Sequence, residues 1–298
     1  MVRHGHPSQW IAGARPRTLP AALAPVLAGT GVAAHHGDEV WWKALLALVV
    51  SLALQVGVNY ANDYSDGIRG TDEDRVGPLR LVGSGLVEPG LVKRAAFLSF
   101  GVAAVAGLVL AATTAWWLVA VGAVCVVAAW FYTGGSKPYG YLGLGEVMVF
   151  VFFGLVAVMG TTYVQTESSA SEVVIQSLWA SVPIGALACA VLVGNNLRDI
   201  WTDTESGKLT LAVRLGEQRT RLFFAGLVAL AAAGVVGLAA TTTWWALTGL
   251  VLVPMCGRPL RRVLGGKQGR ALIPVIQQVG FAEIGAAVAI FVTLVVTA

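Results

Sequence analysis

The chain has 298 residues, of which 56% are hydrophobic and 12% charged, and its mean hydropathy is +0.74. A soluble domain carries about 25% charged residues, so this composition excludes a soluble enzyme, a disordered tail and a nucleic-acid binder, and it predicts an all-α polytopic membrane protein. The formal net charge of +4 acquires meaning only once the charges are placed along the chain.

A helix needs about 20 mostly apolar residues to cross a hydrocarbon core of roughly 30 Å. Residues 1–17 are polar and basic, with no short apolar segment leading to a cleavage site, so no removable signal is predicted. Nine apolar stretches follow, at 18–35, 41–62, 94–113, 115–133, 143–164, 174–196, 221–240, 243–258 and 277–297. They read as nine transmembrane helices in one bundle, a single domain over 1–298. Cys125, Cys189 and Cys256 lie far apart in apolar runs, which points to packing rather than to a disulfide or a zinc site. His4, His6, His35 and His36 lie near the terminus or outside, and none is assigned to catalysis.

Alternate connections between these helices hold nearly all the cations. The N-terminus and residues 63–94, 134–142, 197–221 and 258–274 together carry 19 of the 20 Lys and Arg residues, and Lys43 alone falls on the other side. The positive-inside rule makes the crowded side cytoplasmic. The N-terminus is then inside and, with nine crossings, the C-terminus outside, in a multi-pass cell-membrane protein. Trp41–Trp42, Trp116–Trp117 and Trp244–Trp245 open helices at the opposite face, as an interfacial aromatic belt does.

Two cytoplasmic connections are rich in acids. In helical geometry Gln55, Asn59, Asn62 and Asp66 share one face at steps of four, three and four, and Asn195, Asp199 and Asp203 do so at steps of four. Asn62 and Asp66 superpose on Asn195 and Asp199 with the same shift of 133 residues, which suggests an internal repeat with halves at about 55–80 and 188–216. Carboxylates and amides so spaced suit Mg²⁺, a hard ion that takes oxygen ligands and is commonly completed by substrate phosphates. Arg80, Lys137, Arg198 and Lys208 lie beside the acids, and acids and bases gathered around a divalent metal are what a diphosphate site needs. Glu146, just inside the fifth stretch, either caps a helix or contacts a polar substrate.

With these residues in place the chain resembles the UbiA superfamily of intramembrane aromatic prenyltransferases, which has nine helices and two Asp-rich cytoplasmic motifs. Asn62 and Asp66 match the first motif, and Asp199 and Asp203 the second. The third acid of the wider first motif would fall at Gly70, and here Asp63 or Asp72 takes its place. NDYSDGIRGTD (62–72), GPLRLVGSG (77–85), RPRTLPAALAPVLAGT (15–30), YTGGSKPYGYLGLGE (132–146) and DxxTDxxxGKxTLAVRLG (199–216) resemble the branch that prenylates 1,4-dihydroxy-2-naphthoate in menaquinone synthesis.

That resemblance implies transfer of a long isoprenyl chain from a polyprenyl diphosphate to the naphthoate with decarboxylation, giving demethylmenaquinone. It implies two Mg²⁺ ions, for which Mn²⁺ substitutes, held by Asn62, Asp66, Asp199, Asp203 and one of Asp63 and Asp72. Arg80, Lys137 and Lys208 would stabilise the departing diphosphate. Asn59, Asn195, Arg198, Tyr139, Tyr141 and Glu146 would contact the substrates, with the isoprenyl chain between helices or in membrane lipid. Relatives acting on 4-hydroxybenzoate, haem, chlorophyllide or a ribose diphosphate share the metal motifs. A divalent-cation transporter would set its acids near the midplane, and the DGxxAR-type signature of a CDP-alcohol phosphotransferase is absent. The sequence leaves the isoprenoid length and the oligomeric state open.

The charge asymmetry predicts that reporter fusions to Ala298 read outside and fusions to the N-terminus read inside. A cytoplasmic Ala298 would remove one crossing from the nine.

Overall fold

The computed structural model describes residues 5–70 and 79–298. These are all-helical, with no strand among the described residues. In order the helices are α1 (Pro7–Gly13), α2 (Pro20–His35), α3 (Trp41–Ile68), α4 (Pro89–Thr113), α5 (Leu118–Phe131), α6 (Gly145–Val149), α7 (Ala157–Thr166), α8 (Ser171–Arg198), α9 (Ile200–Glu205), α10 (Leu211–Leu215), α11 (Glu217–Thr241), α12 (Leu252–Leu264) and α13 (Ile273–Val296). A π-helical turn, Phe150–Val156, joins α6 to α7, and a 3-10 turn, Trp244–Val251, leads into α12.

The predicted apolar stretches are mostly helical, with the longer breaks at 115–117, 132–133 and 143–144. Among the described residues six helices are long and apolar enough to cross a membrane: α3, α4, the continuous Gly145–Thr166, α8, α11 and Gly269–Val296. The bent pair Pro7–Thr18 and Pro20–His35, which turns by 49°, makes a seventh, and α5 is a shorter apolar helix. Side chains such as Leu98, Val105, Val124 and Leu222 are exposed in rows along these helices, an apolar surface suited to lipid. Pro20 and Pro89 stand at helix starts, where their fixed φ favours the first turn and no hydrogen bond is lost.

The helices gather around two larger hydrophobic clusters, with a small third one of Val26, Ala47, Leu110 and Val164. One joins α2, α8, α11, α12 and α13, with Leu187, Phe224, Val279 and Ile290 buried at its centre. The other joins α3 and α4 to the 81–87 segment through Tyr60, Leu81, Val87 and Phe100, with α5 and α1 laid against it. The middle helix of the first cluster, α8, is 72% buried over its apolar window, whereas α5 buries only Ala128.

Contacts settle which helix ends lie together. Lys43, at the start of α3, is 4% exposed. Its Nζ donates to Thr113 O at 3.1 Å, to Thr114 Oγ1 at 3.0 Å and to the Glu167 carboxylate. This clasp ties the start of α3 to the ends of α4 and α7. The cation placed alone on the far side is thus a buried brace with its own counter-charge.

Close backbone approach sets the crossing of the Gly145–Thr166 helix with α8. A Cβ on Gly154 would lie 2.9 Å from Gly185 Cα and 3.2 Å from Ser181 O, so a glycine at this crossing lets the π turn seat against α8. Gly154→Ala should lower the melting temperature, a loss of about 1–3 kcal/mol from overpacking. Gly226→Ala, whose added Cβ meets nothing within 4 Å, should be neutral or stabilising. Thermal melting of the two purified variants makes the comparison.

Candidate active site

Between the two clusters lies a cavity of about 750 Å³. Most of its wall is apolar, from Val26, Ala47, Leu110, Phe152, Phe153 and Val164. One end is polar, and there Asn62, Asp66, Arg80, Asp199, Asp203 and Lys208 line it. An apolar cavity with a few convergent polar groups at one end is the usual form of a binding site.

The polar end begins on α3, which runs six residues past the predicted limit at 62 and so carries Asp66 on its last turns. Gln55, Asn59, Asn62 and Asp66 all face the cavity on one side of the helix, each less than a tenth exposed. Asn59 Nδ2 donates to Ala14 O at 2.9 Å and to Thr18 Oγ1 at 3.0 Å, and Gln55 Nε2 donates to the same hydroxyl at 2.8 Å. These bonds draw the N-terminal segment over the cavity, and Tyr60, donating to Trp10 O at 2.9 Å, holds α1 in place. Asn62 Oδ1 accepts from Thr133 Oγ1 at 2.8 Å.

Asp66, 2% exposed, is the centre of the charged cluster. Its Oδ1 accepts from Tyr141 OH at 2.6 Å, and its Oδ2 lies 3.4 Å from Arg80 Nη2 and 3.5 Å from Lys208 Nζ. The Lys208 ammonium also sits 4.7 Å from the centroid of the Tyr141 ring, a cation–π contact. One carboxylate thus gathers groups from the segments after α3, α5 and α9.

Asp63 serves a different purpose. It is fully buried, it does not line the cavity, and its two oxygens accept from the Leu81 amide at 2.8 Å and the Val82 amide at 3.0 Å. Those bonds fix the segment that carries Arg80. Asp72, the alternative third acid, lies outside the described residues, as does Asp74.

The second motif departs from the straight helix its spacing suggests. The chain kinks at Asp199, where φ is −97° and ψ is 8°, and Asp203 rides on the separate short α9. Arg198 grips Asp199 in a two-point ion pair, with Nε and Nη2 each 2.6 Å from a carboxylate oxygen, and both residues are buried. Asn195 lines the cavity while donating to Val191 O at 3.1 Å in its own helix.

Of three further expected site residues, two lie outside the cavity wall and one lines it. Lys137 is exposed and lies outside the cavity wall, because Pro138 and the 3-10 turn after it direct the chain inward only from Tyr139 onward. Tyr139 gives its hydroxyl to Ala128 O at 2.8 Å, so its ring is what faces the cavity; burial pushes that phenol well above its ordinary pKa. Glu146 is buried behind the wall, where Oε1 accepts from Asn196 Nδ2 at 2.9 Å. It orients an amide that does line the cavity.

Sequence reasoning missed several lining residues. Arg15, Arg17 and Thr18 close over the polar end, with Arg15 in the left-handed region at φ 53°; three cationic or hydroxyl residues just ahead of a helix start were the available signal. Arg69 braces the site by donating to the Thr133 and Gly135 carbonyls. Among the described residues no three His, Cys, Asp or Glu side chains group closely enough to hold an ion alone. The donors that do converge on the polar end are carboxylate and amide oxygens, the hard set that Mg²⁺ accepts when phosphate oxygens and waters complete its shell.

A sequence profile described as the UbiA prenyltransferase family matches residues 22–271. The chain is 57% identical over 283 residues to the 1,4-dihydroxy-2-naphthoate octaprenyltransferase of Mycobacterium tuberculosis, covering 95% of both chains. Its fold matches the solved apo structure of a UbiA homolog from Aeropyrum pernix with TM-score 0.70 and 16% identity, over 92% of this chain and 97% of that one. It also matches a UbiA homolog from Archaeoglobus fulgidus bound to GPP and Mg²⁺, with TM-score 0.61 and 12% identity, over 93% and 99% of the two chains.

Asp63 yields a prediction about structure rather than turnover. Asp63→Asn replaces one acceptor with a donor facing a backbone N–H, and should lower stability by about 1–3 kcal/mol. Amide hydrogen exchange should accelerate at Leu81 and Val82 and stay unchanged in the core of α8.

Proposed function

The chain belongs to the UbiA prenyltransferase family, and from that premise we propose that it transfers a long isoprenyl chain from a polyprenyl diphosphate to 1,4-dihydroxy-2-naphthoate with loss of the ring carboxylate, a step of menaquinone synthesis. The observation that carries this reading is the meeting of Asp66, Arg80, Tyr141 and Lys208 with Arg198 and Asp199 at one end of an apolar cavity. The name of the Mycobacterium tuberculosis relative, at 57% identity, supports the choice of acceptor.

Asn62, Asp66, Asp199 and Asp203, with one of Asp63 and Asp72, are the oxygen donors that would hold two Mg²⁺ ions, with Mn²⁺ as a substitute, and the bound metal would neutralise charge on the diphosphate. Asp63 is committed to backbone amides, which favours Asp72 as the displaced third acid. Arg80, Arg198 and Lys208, each buried against a carboxylate, are the cations that stabilise the leaving diphosphate as negative charge grows on it. Lys137, beyond the cavity wall, takes no part. The Tyr139 ring and the amides of Asn59, Asn195 and Asn196 form the wall against which the flat acceptor lies, and Tyr141 keeps Asp66 oriented.

The chemistry divides along the same axis. Ionisation of the C–O bond leaves an allylic cation in the apolar part of the cavity, where excluded water cannot quench it. The ring carbon bearing the carboxylate attacks the cation. As the new C–C bond forms, the bond to the carboxylate breaks, its electron pair returns to the ring, and carbon dioxide leaves. Electron balance gives the hydroquinone form of the product, so demethylmenaquinone itself requires a separate oxidation.

We assign nine crossings in a single domain over 1–298, with the N-terminus and the polar end cytoplasmic and the C-terminus outside. The two motifs, on α3 and on α8 with α9, are taken as halves of an internal repeat facing each other across the site.

Initial rates with dihydroxynaphthoate, a polyprenyl diphosphate and Mg²⁺, with the product identified by mass, test the reading. Asp66→Asn and Asp199→Asn should each lower turnover by at least about a hundredfold, roughly 2.7 kcal/mol of transition-state stabilisation. Glu205→Gln, an exposed acid two residues beyond Asp203, should change it by less than about threefold. Removing divalent metal with EDTA should abolish turnover and Mg²⁺ should restore it. Full activity in EDTA, or in both aspartate variants, would falsify the site.

A further inference from the structure

The end of α12 holds a set of cations that prenyl transfer does not use. Between Glu217 and Glu283 the sequence has no Asp or Glu, yet residues 258–270 contain Arg258, Arg261, Arg262, Lys267 and Arg270. Glu217 is engaged by Arg221 and by Gln268, and Glu283 is fully buried inside the bundle. Among the described residues none of the five cations makes an ion pair.

Two of them are placed where this matters most. Arg258 and Arg261 lie three residues apart, on one face of α12, and with Pro254, Met255, Gln278 and Phe281 they line a groove of about 380 Å³ between α12 and α13. Arg258 stands six residues before the last residue of α12, roughly 9 Å into the helix at 1.5 Å per residue. The groove opens on an apolar outer face, where Phe281 is 64% and Val253 47% exposed. Arg261 donates only a long bond, Nε to Gly257 O at 3.4 Å, which leaves its terminal nitrogens for another acceptor. Gln278 Oε1 is buried with no hydrogen-bond partner among the described residues.

Two guanidinium groups without counter-ions, set inside the margin of an apolar surface, need an anion that arrives with its own apolar body. We propose that this groove binds the headgroup of an anionic phospholipid. The phosphate lies between Arg258 and Arg261, whose planar forks suit phosphate oxygens. The Gln278 amide accepts from a headgroup hydroxyl, and the acyl chains run along Pro254, Met255 and Phe281. Basic pockets between membrane helices at an interface bind such headgroups by this combination of charge and apolar contact. The site is separate from the prenyl-transfer cavity and shares no lining residue with it.

The test is thermal melting of the full-length protein in a non-ionic detergent, titrated with phosphatidylglycerol. Wild type should melt at rising temperature as lipid is added, since a ligand of the folded state stabilises it by mass action. Arg258→Gln/Arg261→Gln should need at least about tenfold more lipid for the same shift, because each basic side chain near a membrane surface contributes severalfold. Gln278→Leu, which keeps both arginines, should also weaken the response. Arg270→Gln, in the same basic run but outside the groove, should behave as wild type. Phosphatidylcholine and inorganic phosphate should give no shift, which separates a lipid site from a site for free anions. An unchanged response in the arginine double variant and in Gln278→Leu overturns the proposal. So does an equal loss in Arg270→Gln, which would mean diffuse attraction, or an equal shift with phosphatidylcholine or phosphate.

Discussion

The Asp66 carboxylate, buried on the last turns of α3 and met by Tyr141, Arg80 and Lys208, is the contact on which the polar end of the structure depends. A bare carboxylate in a helix bordering hydrocarbon carries a heavy desolvation cost, so it is stable there only if other segments bring donors to it. Three do, and two of them are far from α3 in sequence. The 79–88 segment is turned inward by the Asp63 bonds to Leu81 and Val82, the 133–142 loop is fastened to α3 by Arg69 and Thr133, and Lys208 arrives from beyond α9. Loops that would otherwise be solvated connections become the ordered wall of a site.

The rest of the molecule is shaped by the opposite requirement. The two larger hydrophobic clusters leave a space between them, which α3 lines with Val50, Leu54 and Val58 toward one end and with amides and an acid toward the other. Small residues fill the contacts elsewhere, as at Gly154 and Gly185, so the helices approach closely at chosen points and stand apart between them. The π turn at Phe150–Val156 belongs to the same arrangement: it sets Phe152 and Phe153 on the cavity wall while Gly154 seats against α8. π-helical turns inside α-helices are frequent at functional sites.

Much of this was legible in the amino-acid order. Apolar runs of the right length located the helices, and polar steps of three and four located the face of α3 that lines the cavity, because both depend only on local periodicity. Helix ends were less legible. The reading stopped α3 at Asn62, where polar residues begin, yet the helix continues since buried partners keep Asp66 in helical register. Spacing of four placed Asp203 on the continuation of α8, whereas the chain kinks at Asp199. The residues least legible were those whose surroundings hang on a distant partner. Asp63 reads as a ligand until the Leu81 and Val82 amides appear beside it, Lys137 reads as a site cation until Pro138 turns it outward, and Lys43 reads as a lone outer charge until Glu167 meets it. No local pattern carries that information.

The Lys43 clasp has a meaning for the membrane as a whole. A cavity this large, polar at one end and reaching to Val26, Ala47, Leu110 and Val164 at the other, comes close to being a pore. A potential of 100 mV does about 2.3 kcal/mol of work on each charge that crosses, so any such leak would dissipate the gradient the membrane maintains. Beyond the apolar layer, Lys43 lies one helical turn past Ala47 and locks the ends of α4 and α7 across the far side. With those three helix ends fastened beyond its apolar end, the cavity stays a pocket, and the membrane around it keeps its electrical insulation.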